Sequence, residues 1–249
     1  MIDNVREICN IAWADVRFLR HTIVSVMLAS LMSPLLYLLA FGYGLGRGDE
    51  MEGVTYIAFI IPGIVALSAL SSSFSSTSSR MNVQRLYYRN FDEMMLCPLR
   101  VSSIVLGKAM LGIIRGLLSC AIIYVLGMFL TDELLINAPF IISLLVSCLA
   151  FSLLGETAAF LAKSHQSMTT FNTLVILPMT FLCGTFFSVS SMPDWIQTIL
   201  YALPLTYSSA LLRESALGWD FSWHFLLVLI VLTIILFWIN VYLIKSKRI

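Results

Sequence analysis

Six long stretches nearly free of charge, near residues 22–43, 56–77, 109–130, 139–162, 168–189 and 221–244, constrain this chain more than any other feature. Hydrocarbon about 30 Å thick is crossed by roughly 20 helical residues at 1.5 Å rise each, and each stretch is that long. In a bilayer every backbone N–H and C=O must find its partner within the protein, so apolar segments of this length become helices. The expectation is an all-α integral membrane protein with six transmembrane helices. Composition agrees: 59% of the 249 residues are hydrophobic and 12% charged, far from the balance of a water-soluble domain. A net charge of +1 argues against a nucleic-acid partner, since such surfaces carry a marked basic surplus.

The position of the charges gives the expected orientation. Arg6, Arg17, Arg20, Arg80, Arg85, Arg89, Arg100, Lys108, Lys163, Lys245, Lys247 and Arg248 all fall on one side of the six stretches. Only Arg47 and Arg213 fall on the other, and Arg115 lies inside the third stretch. Positive flanks are retained in the cytoplasm, so both termini are expected there. The first stretch begins after some twenty mixed residues and lacks a small-residue cleavage site, so it is expected to stay in the membrane. Cys9, Cys97, Cys120, Cys148 and Cys183 are odd in number and form no C-x-x-C pair, which reads as free thiols.

Residues 1–249 form one expected transmembrane domain. In 1–21, Ile2, Val5, Ile8, Cys9, Ala12, Trp13, Val16 and Leu19 recur at helical spacing, with Asp3, Arg6, Glu7, Asn10 and Arg17 largely opposite. That pattern predicts an amphipathic helix in the cytoplasmic interface, serving as an anchor or in partner docking. Spans one to five occupy 22–189, and 221–249 hold the sixth span and a cytoplasmic tail. Between them the external segment 190–220 carries Trp195, Ile196, Ile199, Leu200 and Leu203 among few charges, yet is broken by Pro193, Pro204 and Gly218. Such a segment predicts external re-entrant half-helices, with Met192, Pro193, Trp195 and Pro204 as its marker residues, because irregular backbone at membrane depth must be sheltered by protein. Pro62 with Gly63, and Pro178 with Gly184, are expected to kink spans two and five.

No nucleotide-binding loop, zinc helix or nucleophile elbow is present, and His21, His165 and His224 stand far apart. No catalytic residue, metal or cofactor is therefore assigned to the chain itself. Two ionisable residues fall inside spans. Arg115 is seven positions past Lys108 and Glu156 seven before Lys163, which predicts similar depth on adjacent antiparallel helices and an intramembrane ion pair. Such a pair either staples two helices or takes part in gating or in holding a substrate head group. Span two carries a serine run in which Ser68, Ser72, Ser75 and Ser76 stand for two readings, close helix packing or a polar substrate path. In 89–98, Arg89, Asp92 and Glu93 share a short helical stretch with Phe91, Met94 and Leu96 before Pro98 stops it. Such a helix either presses into a groove of a soluble partner or connects two spans.

The chain carries, in order, Tyr56-Ile-Ala-Phe-Ile-Ile-Pro-Gly63, Phe91-Asp-Glu-Met-Met-Leu-Cys-Pro98 followed by Val105-Leu-Gly-Lys108, the Phe-Leu-Cys-Gly-Thr-Phe-Phe run ending at Phe187, Met192-Pro193, and Leu203-Pro-Leu-Thr-Tyr207 with Arg213. In these segments it resembles the permease subunit of type-2 ABC exporters, a family that includes nodulation-factor, polysaccharide and daunorubicin-type drug exporters. The resemblance implies six spans in a prokaryotic inner membrane and a coupling helix near 89–98 that docks on a separately encoded ATPase. ATP and magnesium would be held by that ATPase, and a second copy or a paralogous permease would complete the exporter in surrounding membrane lipid. Arg115 inside span three departs from the family pattern. Two other classes stay in view from the residues alone: an ATP-independent secondary carrier or channel, for which Glu156 is the candidate carboxylate, and an intramembrane enzyme acting on lipids, which needs convergent polar groups at one depth.

Overall fold

A computed structural model of the chain describes residues 2–19, 23–45, 50–88, 90–182, 184–187 and 193–247. The helices are α1 (Ile2–Leu19), α2 (Ile23–Tyr37), α3 (Tyr56–Leu86), α4 (Asn90–Leu96), α5 (Val101–Met128), α6 (Ala138–Leu161), α7 (His165–Phe171), α8 (Leu177–Leu182), α9 (Asp194–Leu200), α10 (Pro204–Ala216) and α11 (Trp223–Lys247). Among the described residues the structure is helical, as an all-α membrane protein is, apart from one hairpin of two-residue strands, β1 (Glu50–Met51) against β2 (Val54–Thr55). Glu52 and Gly53 form its turn with φ of 53° and 85°, the left-handed pair that matches the twist of a tight hairpin.

Among the described residues four helices are long and apolar enough to cross a membrane: α3, α5, α6 and α11. The first and fifth expected spans are composite. A π-helical segment, Leu38–Leu45, continues α2, and another, Asn172–Ile176, joins α7 to α8. Pro178 is the second residue of α8, two past the end of the second segment, where its missing N–H leaves one rung of the ladder unmade. Pro62 and Gly63, by contrast, lie inside one continuous α-helix, α3. Spans two and three also extend past their expected cytoplasmic ends, to Leu86 and back to Val101, so the connection shrinks to residues 87–100 around α4.

Helix α3 is the axis of the bundle: 89% of its apolar window is buried, against 28% for α11, whose Leu227, Ile234 and Trp238 face outward. Helices α5 and α6 pack closely on it because the contact positions are small. Gly112 and Gly116, a G-x-x-x-G spacing, leave no room for a Cβ against Thr77, Ser152 and Ser73. Hydroxyls then bond across the seams, Ser72 Oγ to Ser119 Oγ at 2.9 Å, Thr77 Oγ1 with Ser152 Oγ at 2.7 Å, and Ser152 Oγ to the Ala109 carbonyl at 2.8 Å. Asn240 Nδ2 donates to the Leu153 carbonyl at 2.9 Å and ties α11 to α6.

The face of α1 that meets the bundle differs from the expected stripe. Ile11, Ala12 and Asp15 are buried against α5, with Ile8 half-buried, whereas Val5, Cys9 and Trp13 point away, Trp13 at 68% exposure. Gly107 permits the approach, since a Cβ there would lie 2.8 Å from Ile11. At the other end of the bundle α9 and α10 fill the segment expected to be re-entrant; Pro204 opens α10, and α10 packs on α3, α6 and α11.

Candidate functional site

Four groups of polar and aromatic side chains stand out in the bundle, the first on α4. This helix follows α3 at the end opposite the hairpin. Phe91 is buried and meets Phe160 of α6 edge-on at 5.5 Å between ring centroids, and the Arg85 guanidinium lies 5.1 Å from the centroid of the same Phe160 ring while bonding the Ala159 carbonyl. Asp92, Glu93, Leu96 and Pro98 are exposed, Leu96 at 87%, and Met94 is half-buried. Phe91, a candidate coupling residue of the same stretch, faces the bundle and anchors α4 to it, because helical periodicity turns it away from Asp92, Glu93 and Leu96. Arg89 lies outside the described residues.

A second group was missed from the sequence. Asp15, only 1% exposed, accepts from Lys108 Nζ at 2.7 Å, Gln84 Nε2 at 2.8 Å and Arg80 Nε at 3.1 Å, and so binds α1 to α3 and α5. Its signal was present: Asp15 stands four residues past Ile11 and three past Ala12, on the buried face of an amphipathic helix.

The Arg115 to Glu156 ion pair is not formed. Gly112 faces Ser152 and Gly116 faces Cys148, so Glu156 comes opposite Lys108, whose charge acts on it. Arg115 lies seven residues, about 10 Å, further along α5. The expectation failed because it took Lys108 as the membrane edge, whereas α5 begins at Val101 and Lys108 is buried. Glu156 is fully buried, and neither carboxylate oxygen has a hydrogen-bond partner.

Arg115 instead closes a groove of about 490 Å³ lined by Ser30 and Ser33 of α2 and by Ser71, Ser72, Ser75 and Ser79 of α3. The expected path residues divide between two faces of α3. Ser75 is exposed in the groove and Ser72 borders it while buried and bonded to Ser119, whereas Ser68 and Ser76 are buried and bond back to the carbonyls of Ile64 and Ser72. Positions 71, 75 and 79 follow one i, i+4 row and 68, 72 and 76 the adjacent one.

The fourth group surrounds α10. Arg213 is buried, donates from Nε to the Phe59 carbonyl at 3.2 Å and from Nη2 to the Gly184 carbonyl at 2.8 Å, and stacks 3.8 Å over the Phe59 ring. Burial lowers its pKa to about 10 against the opposing fields of Glu52 and Glu214. Gly63 admits this arrangement, since a Cβ there would strike the Thr185 carbonyl. Beside Arg213 is a cavity of about 300 Å³ walled by Tyr201, Tyr207, Trp219 and Phe225. Pro193 precedes α9 and Trp195 is exposed on it; Met192 lies outside the described residues.

Long apolar helices around a serine- and glycine-packed axis, with a short anchored helix displayed at one end, define a multi-pass membrane protein whose working surfaces are helix faces. Residues 7–217 match the model of the family described as ABC-2 type transporter. The chain is 33% identical over 201 residues to Nodulation protein J of Rhizobium meliloti (strain 1021), covering 77% of this chain and 74% of the relative. It is 26% identical over 204 residues to the Inner membrane transport permease YadH of Escherichia coli (strain K12), covering 80% of this chain and 79% of the relative. The chain therefore belongs to the ABC-2 type transporter family, as a membrane transport subunit.

Proposed function

We propose that this protein is the permease of an ATP-driven exporter that moves an amphipathic substrate, a drug-like molecule, a lipid or a lipid-linked glycan, out of the cytoplasm or inner leaflet. Two permeases, identical or paralogous, span a prokaryotic inner membrane six times each with both termini in the cytoplasm. Two separately encoded ATPases hold ATP and magnesium. The observation that carries this reading is α4: Phe91 fixes it to the ends of α3 and α6, while Leu96, Asp92 and Glu93 are left facing outward. An exposed leucine flanked by two acids suits the groove of a soluble partner. A push on α4 passes through the Phe91, Phe160 and Arg85 contacts into α6 and α3, the two helices that carry the inner core. The name of the inner-membrane relative and the excess of Lys and Arg on one side support the location and orientation. Helices α9 and α10 then sit on the outer side as re-entrant elements.

The buried, unpartnered Glu156 favours a second reading, a carrier driven by protons without ATP. Gentle purification from the native membrane, with mass spectrometry of co-purifying proteins and a vanadate-sensitive ATP hydrolysis assay, separates the two. The exporter reading expects a stoichiometric ATPase that is lost at least tenfold when Asp92→Lys and Glu93→Lys are combined, with membrane insertion unchanged. A sample with no ATPase, or an ATPase retained by the charge-reversed variant, overturns the exporter or the coupling-helix assignment respectively.

A further inference from the structure

Arg115 is the one charged residue of α5 between Lys108 and the helix end, and it is fourteen residues from the first residue and thirteen from the last. Those spacings put it about 20 Å from either end of the helix, and eight residues, about 12 Å, past Gly107, on which α1 packs. An arginine at that depth is costly unless an anion or water meets it. Among the described residues no carboxylate pairs with it; the ion pairs are those of Asp15 with Arg80 and Lys108. A second copy of the chain has no acid to offer either. Of the fourteen acids only Glu156 lies inside an apolar stretch, and it is fully buried. What meets the guanidinium, an anion or water, therefore comes from outside the chain.

The groove leading to Arg115 supplies a route for it. Ser71, Ser75 and Ser79 descend one face of α3 over eight residues, about 12 Å, toward the end that carries α4. Ser33 of α2 flanks them, and Gly116 against Ser73 places Arg115 at the level of the upper serines. Hydroxyls can donate to an anion and accept from water along the whole path, and the cation stands at its deep end. We propose that this groove seats the anionic head, a phosphate, sulfate or carboxylate, of an amphiphile whose apolar tail stays in the surrounding bilayer, with Arg115 as its counter-ion. The proposal rests on the transport reading for its direction, from the α4 end inward, but the binding itself needs no ATPase.

The test is equilibrium binding of labelled dodecyl phosphate to the purified full chain in phosphatidylcholine nanodiscs. The wild-type chain is expected to bind it saturably, Arg115→Gln at least tenfold more weakly, and Arg115→Lys, which keeps the charge, within about threefold of wild type. Ser75→Phe fills the groove from an exposed position and is expected to lose at least tenfold with unchanged elution and melting; it decides the matter if Arg115→Gln does not fold. Equal binding by wild type and Arg115→Gln, or by wild type and Ser75→Phe, overturns the site. Full displacement by an equal concentration of inorganic phosphate overturns the amphiphile and leaves a free-anion seat. Because no ATPase is present, these outcomes are independent of whether an ATPase co-purifies.

Discussion

Asp15 offers the most direct test of how this bundle is held together. Replacing it with alanine removes an acceptor that is 1% exposed and bonded to Lys108, Gln84 and Arg80. Removing one partner of a buried ion pair costs about 3–5 kcal/mol, because the remaining charge stays desolvated. Two features place this case near 3 kcal/mol. The Arg80 side chain is 18% exposed and can be hydrated, and Lys108 stays opposite Glu156. At roughly 2–4 °C per kcal/mol for a chain of this size, the melting temperature in mild detergent should fall by about 6–12 °C. The double variant Asp15→Ala/Lys108→Met removes the stranded lysine as well and should recover at least half of the loss, a coupling that independent sites do not show. Hydrogen exchange should rise across Ile2–Leu19 in Asp15→Ala, since α1 loses its polar tie to α3 and α5 while Gly107 and Ile11 still touch. A fall below 2 °C, or strictly additive single effects, would refute the view that Asp15 clamps the interfacial helix.

Other substitutions probe the remaining contacts. Glu156→Gln should shift the melting temperature by less than about 2 °C, because neither carboxylate oxygen has a bond to lose; a larger fall in a thermal scan would show that its charge is needed. Gly155→Val should destabilise by about 1–3 kcal/mol, since even a Cβ there meets the Phe74 carbonyl at 2.7 Å; unchanged melting would refute close α3–α6 packing. Arg213→Lys should lose about 2 kcal/mol although it keeps the charge, because an ammonium cannot stack on Phe59 while bonding the carbonyls of both Phe59 and Gly184; melting equal to wild type would contradict that geometry.

Much of the plan is legible in the one-dimensional pattern, because a bilayer makes apolar length nearly equivalent to a helix. The membrane class, four of the long helices and the short helix before Pro98 follow from hydropathy and helix-stop chemistry alone. The G-x-x-x-G of Gly112 and Gly116 and the buried-face position of Asp15 were also readable, since both depend only on spacing along one helix. What could not be read is how the helices sit against one another. Depth counted from a presumed membrane edge put Arg115 beside Glu156; the packing of Gly112 on Ser152 slid α5 by two turns and put Lys108 there. The 89–98 segment and the serine run were each read as a whole, but only the neighbours decide which face is inward: Phe160 packs on Phe91, and Ser119 bonds Ser72. Apolar length is a property of each segment, so the sequence alone determined the helices and the medium around them. Register and azimuth depend on contacts between residues more than 40 positions apart in the chain, and these were decided only in the tertiary structure.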